Sequence, residues 1–257
     1  MIEKFYVMHH APISKRKGEI VGSKTDIGLS KYGIEVAKHQ AERIRRMLGS
    51  SVLNNVGNQI ISSPLKRAVQ TAEIVAEKCN MDIVLDNRLM AQNFGQLDGM
   101  TIDEINNDDE LKLNFWDYIK PEERDNHHAP NAESNYEMVT RVNDFKLDVL
   151  QQYQEISPLV ITHGTVIDSL IATINNMRLD QVEGSNRKYE GRPIEISLNS
   201  YSAIGISGEQ FNFIPGIEDV LKRGNIDEIK SYISNYIYND CEVEDEKIHL
   251  EKLLKFL

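Results

Sequence analysis

Apolar positions along this chain keep two rhythms that take turns from the first residues onward. Runs of consecutive apolar residues, suited to strands buried on both faces, occur at Lys4–Met8, Asn58–Ser62, Asp82–Leu85 and Leu159–Thr162. Between them the spacing becomes helical. After Ser30, the residues Ile34, Ala37, Ala41, Ile44, Met47 and Leu48 fall on one face, with Gly49 as a stop. The stretch "SSPLKRAVQTAEIVAEK" predicts a second helix with Ser63 as N-cap and Pro64 in the first helical position. A third helix is predicted from about Ser134 to Gln152, and "SPLVITHGTVIDSLIATI" reads as a strand that breaks at His163–Gly164 and resumes as a helix. A β-rich stretch, Ile194–Phe213, is expected to close the sheet as an edge.

Strands each followed by a helix predict an α/β fold: a three-layer sandwich with a mostly parallel central sheet flanked by helices. Residues 1–214 form this domain, and the polar, acidic stretch 100–132, punctuated by Pro121 and Pro130, reads as a lobe or insertion over the sheet. A C-terminal helical extension is expected over 215–257. There Asn225 and Glu228 make a capping pair, Ile226, Ile229, Ile233 and Ile237 repeat at helical spacing, and Leu250, Leu253, Leu254 and Leu257 mark a second helix. The extension could pack on the core, pair with a second subunit in a homodimer, or engage another protein.

Composition narrows the functional classes. With 257 residues and 40% hydrophobic content, the chain can bury an ordinary globular core. A formal charge of -11 argues against a nucleic-acid partner, which requires clustered Lys and Arg. No run approaches the roughly 20 apolar residues of a membrane span, and the opening MIEKFYV reads as a strand rather than a secretion signal. The two cysteines, Cys79 and Cys241, have neither disulfide-framework nor metal-site spacing. A cytoplasmic enzyme without metal or cofactor is the expectation.

In mostly parallel sheets, ligands bind beyond the carboxyl ends of the strands. His10 stands at the end of the first strand, His163 at the end of a later one, and Arg67 in the first turn of a helix that follows a strand. Two imidazoles and a guanidinium converging on one pocket suit a phosphate, because Arg is a planar two-pronged donor and a helix N-terminus adds unpaired N–H groups. A neutral imidazole can also act as the nucleophile and carry the phosphoryl group.

Six motifs in order then resemble the histidine phosphatase superfamily, the group of cofactor-dependent phosphoglycerate mutases and broad-specificity phosphatases, over about residues 3–206. "YVMHHAP" resembles its strand plus R-H-G or R-H-A, "GLSKYGIEVA" its L-T-x-x-G-x-x-Q-A helix start, and "ISSPLKRAVQTAEIVA" its S-S-P-L-x-R-A-x-Q-T-A signature. "RLMAQNFGQLDGMT" resembles R-L-x-E-x-x-F-G-x-W-E-G, "APNAES" resembles P-G-G-E-S, and "VITHGTVI" the second-histidine motif. The resemblance implies that His10 is the nucleophile and that Arg67 and His163 hold the transferring oxygens. His9, Ser63, Gly164 and Thr165 are the implied substrate-binding residues. A register with Met8 for the family arginine and His9 as nucleophile fits less well, since Ala11 fills the small position when His10 is reactive.

Two departures touch the chemistry. His9 stands where the family has arginine, and Ala91 stands where it has the glutamate that protonates the leaving group. By position, Asp98, Glu133, His127 and His128 are candidates for a replacement acid. Two readings follow: a phosphomonoester hydrolase acting through a phosphohistidine on a small phosphorylated metabolite, nucleotide or sugar, or a pseudophosphatase that binds a phosphorylated ligand or protein partner without turnover. A mutase needs acid–base help in both directions, which Ala91 makes harder.

Overall fold

The computed structural model describes residues 4–48, 56–112, 131–153, 156–175, 193–197 and 203–205. Six strands form one sheet: β1 (Lys4–His9), β2 (Val56–Ser62), β3 (Asp82–Leu85), β4 (Ser157–Thr162), β5 (Pro193–Ser197) and β6 (Ala203–Gly205). Their order is β3-β2-β4-β1-β5-β6. The first four run parallel, and β5 and β6 add antiparallel at one side, so the predicted closing edge is present over the described part of Ile194–Phe213.

Helices cover both faces, which gives the expected α/β sandwich. They are α1 (Lys31–Met47), α2 (Lys66–Cys79), the short α3 (Ile102–Asn106), α4 (Asn135–Gln152) and α5 (Gly164–Asn175). Side chains alternate across a strand, so neighbours on one strand serve opposite cores. Tyr6 and Met8 of β1, Ile60 of β2 and Leu159 and Ile161 of β4 pack with Ala41 and Ile44 of α1 and Ala68, Ala72 and Val75 of α2. Val7, Ile61 and Val160, one position over on the same strands, pack instead with Met138, Val142 and Phe145 of α4 and Val166, Leu170 and Ile171 of α5. Every residue of β4 is buried, as expected of a strand with neighbours on both sides and helices on both faces.

Local signals set the helix starts with one exception. Ser30 accepts from Gly33 N at α1, and Ser134 and Glu137 form a reciprocal capping box at α4. At α2 the predicted N-cap fails. The helix begins at Lys66, Leu65 is the capping residue without a side-chain bond, and Ser63 lies outside the helix. The reason is tertiary, because the Ser63 hydroxyl faces a histidine from β4 (below).

Part of the expected lobe, residues 100–112, is described. Ile105 and Leu97 are buried with Ile20, Phe94, Met100, Leu111 and Ala132, tying residues 94–112 to the loop between β1 and α1. Residues 113–130 of the expected lobe, and all of the 215–257 extension, lie outside the described residues. Among the described residues, no helix is long and apolar enough to cross a membrane.

Candidate active site

The site is built by sheet register. β1 and β4 are paired so that His9 stands opposite Thr162, and β2 and β4 so that Ser62 stands opposite Ile161. One residue further, the ladder continues: His10 N donates to Thr162 O (3.0 Å) and Ser63 N to Ile161 O (2.9 Å). Three adjacent strand ends therefore deliver His10, His163 and Ser63 to one spot. The rings of His10 and His163 lie 5.1 Å apart edge to face, and the His9 ring lies tilted at 4.2 Å from His10.

Hydrogen-bond accounting assigns the tautomers of His10 and His9. His10 Nδ1 lies 2.8 Å from the carbonyl oxygen of Ala11, which can only accept, so Nδ1 carries the proton and Nε2 the lone pair. His9 Nδ1 in the same way donates to His10 O at 2.8 Å. His163 Nε2 lies 2.8 Å from Ser63 Oγ, and that hydroxyl already accepts from Leu65 N (3.3 Å). A hydroxyl has one proton and two lone pairs, so this contact holds the ring with either His163 tautomer. Among the described residues the buried His163 Nδ1 has no partner.

Burial sets the charges. His10 is 7% and His163 3% exposed. Desolvation, then the charges of His9, His163 and Arg67, hold His10 well below the ordinary imidazole value, against a smaller opposing effect of the Ala11 carbonyl. His163 is lowered by burial first and by Arg67, His9 and Arg141 after it. Both rings are neutral at neutral pH, as a nucleophile and a hydrogen-bond donor require.

Arg67 comes from the first turn of α2 and is 1% exposed. Its Nη1 donates to Thr25 O (2.9 Å) and Nη2 to Gly22 O (3.0 Å), while its buried Nε has no partner among the described residues. Burial pushes the guanidinium down to about 10, opposed by the nearby Asp26 and Asp98. One turn along, Thr71 Oγ1 donates to Arg67 O (2.8 Å) and accepts from Ala11 N (3.0 Å), so one hydroxyl ties the arginine helix to the residue after His10. Sequence reasoning passed over Thr71, although its place four residues after Arg67, on the same helix face, was a usable signal. Gly164 and Thr165 open α5 directly after His163, where helical N–H groups have no intrahelical partner.

The implied substitution at residue 91 also finds its surroundings. Ala91 is 5% exposed and lines a cleft of about 560 Å³ together with Ser23, Asn87, Met90, Asn93, Ala132, Glu133, Glu137 and Arg141. Two candidate acids are visible. Glu133 is paired with the Arg141 guanidinium through both oxygens and also accepts from Asn93 N (3.4 Å). Asp98 accepts from Gly22 N, Lys24 N and Thr25 Oγ1. Both carboxylates are committed as acceptors to these donors. His127 and His128 lie outside the described residues. Among the described residues, no group of three or more His, Cys, Asp or Glu could hold a metal ion.

The family model described as histidine phosphatase superfamily (branch 1) matches residues 5–201. The chain belongs to that superfamily. It is thus an enzyme of the histidine phosphatase type. Among curated relatives, a protein named "Probable phosphoglycerate mutase GpmB" from Salmonella paratyphi C is 30% identical over 169 residues, covering 66% of this chain and 73% of that one. Its namesake from Enterobacter sp. (strain 638) is 29% identical with the same coverage. Solved structures share the fold at lower identity. YhfR of Bacillus stearothermophilus superposes with a TM-score of 0.63 at 21% identity, over 83% of this chain and 100% of that one. A phosphoserine phosphatase of Entamoeba histolytica, solved with 3-phosphoglyceric acid, gives 0.61 at 22% identity with the same coverage.

Proposed function

We propose that this histidine phosphatase is a metal-independent phosphomonoester hydrolase working through a phosphohistidine on His10. The observation that carries the reading is a pair of buried nitrogens, Arg67 Nε and His163 Nδ1, with no partner among the described residues, together with a His10 imidazole whose lone pair is on Nε2. Buried polar groups are nearly always paired, so two orphans, one of them on a guanidinium, suit an anion. Arg67, His163 and the first N–H groups of α5 at Gly164 and Thr165 hold the phosphoryl oxygens and stabilise the charge that grows on them in transfer. Ser63 acts one layer back, holding the His163 ring.

In the first step, His10 Nε2 forms a bond to phosphorus while the bond to the leaving oxygen breaks and that oxygen keeps the electron pair. Water then attacks phosphorus, the N–P bond breaks, its pair returns to Nε2, and inorganic phosphate leaves with a proton released. Residue 91 stands where the resemblance places the leaving-group acid, and it lines a cleft with Asn93. With a methyl group at residue 91, the leaving oxygen has no carboxyl donor there, so aryl esters react faster than alkyl esters.

His9 and Ala91 favour the second reading, a pseudophosphatase, and one experiment separates the two. Purified protein, without added metal, is mixed with nitrophenyl phosphate and quenched within milliseconds. Acid-labile phosphate on His10, lost in His10→Ala, supports the hydrolase; ligand binding by a folded protein with no trapped phosphate and no turnover leaves the pseudophosphatase.

A further inference from the structure

Arg67 does not hold its own place. Its two terminal nitrogens donate to the backbone oxygens of Gly22 and Thr25, in the loop between β1 and α1, and among the described residues no carboxylate bonds to it directly. That loop has no helix or strand ladder of its own to shape it at these residues. What shapes it is Asp98, more than seventy positions later in the chain. Asp98 Oδ1 accepts from Gly22 N (2.9 Å) and Thr25 Oγ1 (2.5 Å), and Oδ2 accepts from Lys24 N (2.8 Å). Three donors from four consecutive residues thus converge on one carboxylate, and the carbonyls of the first and last of those residues point the other way, at the guanidinium.

The geometry points to Asp98 as the positioning residue for Arg67: it clamps loop 22–25 so that Gly22 O and Thr25 O fix the guanidinium in the plane needed to grip a phosphoryl group. The close fit at Gly22 belongs to the same device. A Cβ there would lie 2.6 Å from Asp98 Oδ2 and 2.6 Å from Gln92 O, so only glycine lets the loop approach the carboxylate this closely. Ser23 N donates to Gln92 O (3.1 Å), which fastens the loop to the same segment that carries Asp98. Asp98 also balances charge, because with Asp26 it opposes the desolvation that weakens the buried guanidinium's hold on its proton. Its role runs through Arg67 and not through substrate, since all three of its bonds go to the loop. The inference rests on the reading of Arg67 as the phosphoryl clamp.

The test is a double-mutant cycle read with orthovanadate as the phosphoryl-site probe, on the full chain. Asp98→Asn puts an amide donor where donors converge, so vanadate affinity should fall about tenfold or more, the range of a lost charge-assisted bond. In an Arg67→Ala background, adding Asp98→Asn should weaken vanadate binding by less than about threefold further, because the residue acts through the missing guanidinium. A merely structural role would make the two losses multiply. The second readout is the ¹⁵Nε–¹Hε resonance of Arg67, identified by its absence in Arg67→Ala, which should shift or broaden in Asp98→Asn. Unchanged affinity and an unchanged resonance in a folded Asp98→Asn protein, or independent losses in the cycle, overturn the inference. A resonance that moves while Arg67→Ala binds vanadate normally overturns the clamp reading of Arg67 and leaves the positioning intact. Should Asp98→Asn not fold, Thr25→Val removes one of the three donors while keeping the Thr25 carbonyl. It should weaken vanadate about threefold in the Arg67 protein and not at all in the Arg67→Ala protein; no effect in the former overturns the inference.

Discussion

Acid should loosen this protein through two identifiable rings. His10 and His163 are buried and held neutral, so their folded-state affinity for protons lies well below that of the unfolded chain. The unfolded state therefore binds more protons below about pH 6.5, and stability rises with pH up to that value and then levels off. If neither ring protonates in the folded state, one imidazole costs RT ln(1 + 10^(6.5 − pH)), about 1.4 kcal/mol at pH 5.5, and the pair costs about 3 kcal/mol. Against a total of roughly 5–15 kcal/mol for a domain, that is a large share. Urea unfolding in phosphate-free buffer at pH 7.5 and 5.5 measures it, with a midpoint shift of about 1.5 M for a slope near 2 kcal/mol/M. Exposed carboxylates also contribute, so the comparison is with a double variant that keeps each ring's observed bond. Asn replaces His10, whose Nδ1 is used, and Gln replaces His163, whose Nε2 is used. The variant should lose about 3 kcal/mol of the pH dependence. An equal shift in both proteins, or ring protons of His10 and His163 titrating at the ordinary pH in NMR, refutes the reasoning.

Three further outcomes follow from the same site. His9 Nδ1 is spent on His10 O, so the neutral ring's other nitrogen is an acceptor and only the cation has a second N–H for an anion. Substrate affinity should accordingly fall between pH 6 and 8 more steeply than in His9→Arg; identical KM profiles for the two proteins remove His9 from the phosphate site. Ala91→Glu should raise kcat for an alkyl phosphate by ~10²-fold or more and leave nitrophenyl phosphate nearly unchanged, and a uniform effect on both would show that proton donation does not limit the reaction. Gly33→Ala would drive a Cβ into Pro12 O at the start of α1, so the loop after His10 must shift. A loss of roughly 1–3 kcal/mol in urea unfolding is expected, and a neutral result would mean that this loop is not packed against the helix as described.

Sequence alone determined most of the described elements and pointed to the candidate site residues, because both are written in local signals. The double-sided apolar runs at β1, β2 and β4, the helical spacing after Ser30 and the capping pair at Ser134 and Glu137 each act within a few residues. Ordered motifs brought His10, Arg67 and His163 to notice for the same reason, since each sits at a fixed offset from a strand end. What those side chains do to one another was decided only by the sheet. Ser63 read as a helix cap because Ser-Pro before a helical run is a cap pattern, yet the β2–β4 register sets its hydroxyl against His163, 100 residues away, and that contact takes precedence. Asp98 and Glu133 read as spare acids until the fold placed one under loop 22–25 and the other against Arg141. Periodicity and capping report on neighbours along the chain. The tautomers, the buried neutral rings and the clamp on Arg67 depend on strand order and register, which join segments tens of residues apart and leave no local trace.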